Sequence, residues 1–359
     1  MHGSYRFPGT ALVVCHPLAS GHGGMAVDLH RLGLLERLVM FKIRRADAEA
    51  GFVEVVRARA NPGGSAVLAS FYLPSRWGRA VRRFRWTHLA SPHFFHLARR
   101  APNLTGVVHD LGHLDPRATS ASPIGYRYLM TRELRYASHL RGVVTVSATT
   151  GELLRRVNPQ VRPVTIHNWT GDEFRPRDRD ESRRRLGLPL DRSLILSVGL
   201  DIPRKNADLL PRLVRALGPG FAVVRVGDCR RLEPEFPPGT LIARSAVPAA
   251  DYPLYFNAAD LLVYPSRDEG FGRPLIEAVN SNTPLLASDI PVFREVLRGD
   301  RQLVPIDDLD RWVEAARAAA ATDPARRRTG SLYPELGDYY RPARALAEYT
   351  AFFRSAGLA

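Results

Sequence analysis

The chain has 359 residues, about twice the usual length of one domain, which predicts two domains. Apolar residues make up 45% and charged residues 24%, values that exclude a disordered, collagen-like or disulfide-stapled chain. The formal net charge of +15 indicates an anionic partner: a nucleic acid, an acidic membrane surface or a phosphorylated ligand. Residues 1–175 hold 24 basic and 11 acidic side chains, so nearly all of this excess lies in the first half.

Short apolar runs alternate with helical stretches along the chain. The predicted strands, in chain order, are 11–15, 106–109, 142–147, 193–198, 221–226, 261–264 and 284–287. The predicted helices include 25–38, 207–217 and 340–355, and Ser147 is suited to capping a further helix. Strands separated by helices imply parallel sheets with helices on both faces, so we predict an α/β fold with two Rossmann-like domains.

A segment rich in arginine, aspartate and proline, residues 171–191, separates two series of alternating elements. We therefore predict an N-terminal domain over residues 1–170, a second domain over 171–338, and a C-terminal helix within 339–359 that packs back on the N-terminal domain. Two such halves are expected to face each other across a cleft that lies outside the carboxyl ends of their strands.

The most informative stretch runs from Tyr264 to Ala278, with the sequence Tyr-Pro-Ser-Arg-Asp-Glu-Gly-Phe-Gly-Arg-Pro-Leu-Ile-Glu-Ala. It predicts a buried strand, a polar loop with two glycines, and a helix that begins near Pro274. The amides of such a helix start bind phosphate, and a carboxylate can accept two sugar hydroxyls at once. Glu269 and Glu277 therefore suit a nucleotide sugar, with a capping carboxylate in an ordinary turn as the structural alternative.

These residues resemble the two-glutamate signature of retaining glycosyltransferases of glycosyltransferase family 4. Residues 197–206, Ser-Val-Gly-Leu-Asp-Ile-Pro-Arg-Lys-Asn, are similar to that family's second signature, and Asn257-Ala-Ala-Asp260 lies where the family has it. The resemblance is strongest over residues 193–300 and weak over the first hundred. It implies the GT-B architecture, with the nucleotide-sugar held mainly by the second domain.

The resemblance also implies roles for individual residues. Arg204 and Lys205 would neutralise the diphosphate, whose negative charge grows as the glycosidic bond breaks. Glu277 would hold the ribose hydroxyls and Glu269 the transferred sugar. The remaining donor contacts that it implies are Gly199, Val247, Gly270, Phe271, Gly272 and Leu275. One departure stands out, because many family members have an arginine where this chain has Leu200.

In the first domain, His109 and Asp110 follow a predicted strand and resemble the family's histidine at the reaction centre. His109, Lys205 and Glu269 are thus the expected catalytic residues. Gly23 and Gly24 lie in the loop after the first strand, where backbone amides would face the cleft; a tight turn explains them equally well. The loop lacks the G-x-G-x-x-G pattern of a nicotinamide site.

The densest basic and aromatic cluster spans residues 76–88. On a helix, Trp77, Phe84 and His88 would share one stripe, with arginines beside it. Such a helix would lie on an anionic membrane, the alternative being an ordinary amphipathic core helix. The membrane candidates are Trp77, Arg79, Arg82, Arg83 and Phe84.

No segment approaches the roughly 20 apolar residues of a membrane span, and the first ten residues lack a signal peptide's apolar core. Cys15 and Cys229 are typical of buried, reduced thiols. We therefore predict a cytoplasmic protein, with peripheral binding to the inner face of the membrane as an option. Neither an Asp-x-Asp pair near the motifs nor zinc-ligand spacing is present, so no metal or other cofactor is expected.

We accordingly predict a retaining hexosyltransferase that uses a nucleotide-diphosphate sugar and a glycan or lipid-linked acceptor. The variant Pro-Arg-Lys-Asn at residues 203–206 resembles that of mannosyltransferases of surface-polysaccharide assembly, and this resemblance implies mannose, with GDP-mannose as donor. A basic nucleic-acid-binding protein is the first alternative, although no zinc-finger, RNA-recognition or helix-turn-helix signature supports it. A non-catalytic sugar-nucleotide-binding protein of the same fold is the second.

Overall fold

A computed structural model describes residues 10–14, 28–40, 53–55, 81–114, 124–321 and 330–358. These residues form two compact α/β units. Unit 1 holds the described residues up to His167 together with residues 343–358, and unit 2 holds residues 168–342 in so far as they are described. The C-terminal residues thus belong to the same compact unit as the first half of the chain.

Unit 1 contains a parallel sheet of seven strands in the order β3-β2-β1-β4-β5-β6-β7. The strands are β1 (Thr10–Val14), β2 (Arg37–Met40), β3 (Val53–Val55), β4 (Trp86–Leu89), β5 (Leu104–Val108), β6 (Gly142–Thr145) and β7 (Val164–Thr165). The helices are α1 (Ile124–Arg135), α2 (Ala148–Val157) and α9 (Pro342–Ser355). Ser147 caps α2 as predicted, because its side chain accepts a hydrogen bond from Thr150 N–H.

Helix α9 packs against unit 1 through a cluster of aromatic rings around His88. The His88 ring lies 5.3 Å from the Phe353 ring and 6.1 Å from the Tyr349 ring, between centroids. Its Nδ1 lies 2.9 Å from Thr105 Oγ1, directly across β4 and β5. Burial lowers the pKa of His88 to about 3, so the ring is neutral throughout the physiological range.

Unit 2 contains a parallel sheet of six strands in the order β10-β9-β8-β11-β12-β13. The strands are β8 (Ser193–Val198), β9 (Phe221–Val226), β10 (Leu241–Arg244), β11 (Leu261–Tyr264), β12 (Leu285–Ser288) and β13 (Leu303–Val304). The helices are α3 (Arg179–Leu186), α4 (Leu209–Leu217), α5 (Tyr252–Ala258), α6 (Arg273–Asn280), α7 (Pro291–Leu297) and α8 (Leu309–Ala320). Both sheets follow the doubly wound order, in which later strands add on either side of the first.

A buried ion pair joins the start of unit 2 to its central strands. Arg183 is fully buried in α3 and donates to Asp260 Oδ2 at 2.5 Å and to the carbonyl of Ala258 at 2.8 Å. Asp260 also accepts from Leu194 N–H at 2.7 Å and from Arg179 at 2.9 Å. Because each buried charge has several partners, the network fixes α3 against β8, and it explains the aspartate in Asn257-Ala-Ala-Asp260.

The seven predicted strands are confirmed within one or two residues wherever the structure describes them. The helix predicted over residues 25–38 is too long, because residues 28–31 are helical but 37–40 form β2. The helix predicted over residues 76–88 is wrong after Val81, because residues 82–85 form a turn and 86–89 form β4. A short apolar run suits a buried strand as well as a helix, and β4 is buried along its whole length. Trp77 and Arg79 lie outside the described residues.

The buried, neutral His88 predicts an acid-sensitive unit 1. The unfolded chain takes up a proton near pH 6.5 that the folded chain refuses until about pH 3, so stability falls as the pH drops through this window. Between pH 7.5 and 5 we expect His88 to cost roughly 2 kcal/mol of unfolding free energy. Urea unfolding at both pH values should show a smaller difference in His88→Phe and an unchanged one in the exposed control His139→Gln. An unchanged difference in His88→Phe would contradict this account.

Candidate functional site

Unit 2 brings a cluster of charged side chains together beyond the carboxyl ends of β8 and β11. These two strands are neighbours, and the strand order reverses between them. Such a reversal leaves a crevice outside the strand ends, where open parallel sheets bind ligands. The segments that leave the two strands, residues 199–208 and 265–272, supply the cluster described below.

A glycine sets the path from β11 into α6. Gly272 caps α6 with a φ of 97°, in the left-handed region that favours glycine. A Cβ atom at this position would lie 2.7 Å from Phe293 Cε1, so neither backbone conformation nor space admits a side chain. Pro274, in the first turn of α6, lacks the N–H that a helix start leaves without an internal partner.

Glu269 lies at the centre of the cluster, and its side chain is 8% exposed. Its Oε1 accepts hydrogen bonds from Tyr264 Oη at 2.6 Å, from Ser266 Oγ at 2.9 Å and from Lys205 Nζ. Its Oε2 has one partner among the described residues, Arg204 Nη1 at 3.3 Å. Oε1 is therefore saturated, whereas Oε2 keeps the capacity to accept a further hydrogen bond.

Lys205 and Arg204 join the loop after β8 to the loop after β11. Lys205 Nζ also donates to Tyr264 Oη at 2.9 Å and lies 5.1 Å from the centre of that ring. Two of its three N–H groups are thus used within the described part of the chain, and one remains for a ligand. Arg204 Nη1 also contacts the carbonyl of Asp268 at 3.3 Å, and Arg267 N–H donates to the carbonyl of Arg204 at 2.8 Å.

The two cations determine the ionisation of Glu269. Burial by itself would raise the pKa of this carboxyl group, but the charges of Lys205 and Arg204 outweigh burial and hold the pKa below its usual value. Burial and the neighbouring Glu269 carboxylate raise the pKa of Tyr264 well above its ordinary value. At neutral pH the cluster therefore contains an ionised carboxylate, a protonated tyrosine and two cations.

Close contact between backbones shapes the ends of β8 and β9. Gly199 and Gly227 have φ angles of 130° and 126°. A Cβ atom on Gly227 would lie 2.1 Å from the carbonyl oxygen of Gly199, so glycine is required there. Gly199 N–H donates to the carbonyl of Val226 at 3.0 Å. The predicted donor residue Gly199 thus lies at the root of the loop that carries Arg204 and Lys205.

A buried arginine from β9 supports this loop. Arg225 is 2% exposed and donates to Ser197 Oγ at 2.8 Å and to the carbonyls of Gly199 and Leu200 at 2.9 and 3.1 Å. Burial lowers the pKa of Arg225. Leu200, at the position where the resemblance leads one to expect an arginine, is 62% exposed. A guanidinium therefore lies beneath the turn although none is present at position 200.

The second predicted carboxylate, Glu277, lies in the second turn of α6 and is buried. Its Oε2 accepts from Tyr252 Oη at 2.9 Å, whereas Oε1 lies 3.8 Å from Arg273 Nε, too far for a hydrogen bond. Burial raises the pKa of Glu277 above its usual value, and Arg273 and Tyr252 offset only part of that rise. Oε1 therefore retains acceptor capacity.

The other predicted donor residues differ in how far they are buried. Gly270 and Phe271 are buried, and the Phe271 side chain belongs to the core of unit 2. Leu275 is fully buried as well, and its N–H donates to the carbonyl of Gly272 at 3.0 Å. Val247 is half-buried in the segment after β10.

In unit 1, His109 and Asp110 follow the carboxyl end of β5 and are half-buried. Asp110 Oδ1 accepts from Gly112 N–H at 2.8 Å, a turn that fixes its carboxylate. Gly23 and Gly24 lie outside the described residues. Within the described ranges no three histidine, cysteine, aspartate or glutamate side chains are grouped as metal ligands, and no helix is long and apolar enough to cross a bilayer.

Four contributors to the site were missed by the sequence analysis. Tyr264 and Ser266 bind Glu269 and belong to the Tyr-Pro-Ser string, so the motif contained them without revealing their partner. Arg225 interrupts the apolar strand Phe-Ala-Val-Val-Arg-Val, a signal that was available. Tyr252, the partner of Glu277, lies 25 residues away from it and left no signal in the sequence.

Comparison with known proteins relates this geometry to a family. Residues 178–331, somewhat less than half of the chain, match the model of the family described as Glycosyl transferases group 1. The O-antigen chain mannosyltransferase RfbU of Salmonella typhimurium is 52% identical over 64 residues, 18% of each chain. A D-inositol 3-phosphate glycosyltransferase of Mycolicibacterium paratuberculosis is 32% identical over 218 residues, covering 52% of this chain and 48% of that protein. The chain thus spans about half the length, or less, of these relatives.

Solved structures share the fold. The sucrose-phosphate synthase of Thermosynechococcus elongatus superposes with a TM-score of 0.78 at 18% identity, covering 96% of this chain and 98% of that one. Anabaena HepE, in complex with UDP and glucose, gives 0.77 at 15% identity and covers 96% and 99%. The predicted fold class, α/β with two parallel-sheet units of the GT-B type, is confirmed.

The tight fit around Gly272 predicts a large effect of a single methyl group. Gly272→Ala adds a collision with Phe293 to the strain of a left-handed residue, and we expect a loss of about 2–4 kcal/mol in unfolding free energy. Gly239 is the matched control, because its φ is 72° and a Cβ there meets nothing within 4 Å. Gly239→Ala should cost about 1 kcal/mol, the strain alone. Equal losses in urea unfolding would contradict the collision.

Proposed function

We propose that this chain transfers a hexose from a nucleotide-diphosphate sugar to a glycan or lipid-linked acceptor, with retention of configuration at the anomeric carbon. The observation that carries the proposal is the state of Glu269: a buried, ionised carboxylate with one saturated and one available oxygen, held by two cations from a neighbouring loop. A site that offers two cations and an available carboxylate oxygen suits a ligand with a diphosphate and several hydroxyl groups.

The two cations are the proposed diphosphate site. Lys205 retains an N–H for a phosphate oxygen, and Arg204 lies on the same carboxylate. When the glycosidic bond breaks, negative charge develops on the leaving diphosphate, and fixed cations stabilise it with little reorganisation. The backbone of Gly270, Phe271 and Gly272, at the start of the eight-residue helix α6, adds the positive end of a helix dipole. We therefore propose that these groups neutralise the diphosphate without a metal ion.

The carboxylates have separate proposed tasks. Glu269 Oε2 accepts hydroxyls of the transferred sugar, and Glu277 Oε1 accepts the ribose hydroxyls. Val247 is proposed to contact the base. On the side of the acceptor, His109 is proposed at the reaction centre, with Asp110, Gly23 and Gly24 nearby; the resemblance of these residues to the family supports these roles.

Mannose is the proposed sugar, supported by the 52% identity to a protein named a mannosyltransferase over a short region. Other names point elsewhere: several relatives are called D-inositol 3-phosphate glycosyltransferases, and HepE was solved with UDP-glucose. Because mannose is the proposed sugar, GDP-mannose is the proposed donor. A panel of donors must also include UDP-sugars as the alternative.

Glu269→Gln should separate binding from chemistry. The amide keeps the shape of the side chain but removes its charge, so Lys205 and Arg204 become available to the diphosphate. We expect the nucleoside diphosphate to bind at least as tightly as in the wild type. Release of nucleotide from the donor sugar by slow transfer to water, which needs no acceptor, should fall at least about 100-fold.

The matched control is Asp307→Asn, an exposed carboxylate paired with Arg267 in the same unit. It should leave both quantities within about twofold of the wild type. Wild-type donor turnover in Glu269→Gln would contradict the proposed role. Tight nucleotide binding by the wild type without any turnover would instead identify the non-catalytic binding protein.

A further inference from the structure

The edge of unit 1 at which its strands begin carries a dense array of exposed arginines. Four segments lead into β4, β5, β6 and β7, namely residues 81–85, 98–103, 135–141 and 155–163. We call the surface that they form the basic edge. Its exposed arginines are Arg82, Arg83, Arg85, Arg99, Arg100, Arg135, Arg141, Arg155, Arg156 and Arg162.

The basic edge accounts for most of the charge asymmetry of the chain. Its four segments contain ten arginines and neither aspartate nor glutamate. Residues 1–175 as a whole have 24 basic and 11 acidic side chains, a net charge of +13, so the remainder of this half is nearly balanced. The positive field of the first half therefore has a definite place in the fold.

Cross-contacts join three of these segments into one surface. Arg82 Nε donates to the carbonyl of Arg100 at 2.6 Å, and Arg141 Nε donates to the carbonyl of Pro102 at 3.2 Å. Asn103 Nδ2 donates to the carbonyl of Arg85 at 3.1 Å. These acceptors are neutral, so they orient the arginine side chains without cancelling their charge.

The basic edge is separate from the residues proposed for chemistry in unit 1. All strands of the sheet are parallel, so their beginnings and their ends lie at opposite edges. His109 and Asp110 follow the end of β5, whereas Arg99 and Arg100 precede its beginning. Substrate binding at the strand ends therefore does not explain the basic edge, and it can be tested without reference to the transferase proposal.

We propose that the basic edge docks the protein on the anionic surface of a phospholipid membrane. Four neighbouring strands, spaced about 4.8 Å apart, spread the charges over a strip about 15 Å wide. Phe84 and Tyr136 of the four segments are half-buried against the core, which leaves His139 as their one exposed ring, whereas single-stranded nucleic acid stacks successive bases on several aromatic side chains. An array of cations whose segments expose no large apolar side chain fits adsorption to headgroup phosphates without insertion.

The test is co-sedimentation of the full chain with vesicles. We expect binding to phosphatidylcholine vesicles that contain about 30% phosphatidylglycerol, and none to phosphatidylcholine alone. Binding should disappear at about 0.5 M salt, where screening shortens the reach of surface charge to a few ångströms. The variant R99Q/R100Q/R155Q/R156Q should bind about 600-fold more weakly, since each of the four arginines near an anionic surface contributes about a fivefold factor.

The control variant R175Q/R184Q/R212Q/R301Q removes the same charge from exposed positions of unit 2 and should bind like the wild type. Circular dichroism and urea unfolding confirm that both variants are folded. Equal loss in both variants would overturn the proposal, since net charge alone would then explain adsorption. Binding to neutral vesicles would also overturn the proposal. So would a wild-type chain that binds duplex DNA in a salt-sensitive way but does not bind vesicles.

Discussion

The neutralisation of one buried carboxylate organises the ligand-facing side of unit 2. Glu269 is removed from water, which by itself disfavours its charge, and it stays ionised because Lys205 and Arg204 lie against it. The carboxylate comes from the loop after β11 and the cations from the loop after β8. Their interaction therefore depends on the two strands being neighbours, and it fixes both loops at the point where the strand order reverses.

The backbone around this interaction leaves little freedom. Gly227 lets the end of β9 approach the carbonyl of Gly199, and Arg225 holds the same carbonyl from below. Gly272 turns the chain into α6 where a side chain would collide with Phe293. The cluster is thus held in place before any ligand arrives, which is the condition for electrostatic stabilisation of a leaving group.

Local patterns predicted four of the six strands of unit 2, because each of these four is a largely buried run of β-branched and aliphatic residues. They missed β10, which is only half-buried, and β13, which has two residues. The same reasoning failed at residues 82–88, where helical spacing of aromatic residues coincided with a turn and a central strand. It placed the positive charge in the first half of the chain but did not show that the charge forms one surface. Those arginines are scattered over about 80 residues in sequence and meet only because the sheet brings the starts of its strands together. The residue string after β11 singled out Glu269, and the resemblance to a family singled out Lys205, but neither revealed their partners Tyr264 and Ser266, whose contacts depend on the turn.

The central claim, that unit 2 binds a nucleotide-diphosphate sugar without a metal ion, is tested most directly by calorimetric titration with GDP, UDP, ADP and dTDP in the presence of EDTA. The account predicts that one nucleotide binds and that Glu277→Ala weakens its binding about 10-fold or more, because the side-chain acceptor for the ribose hydroxyls is lost. Absence of binding by all four, or equal affinity in wild type and Glu277→Ala, would contradict it.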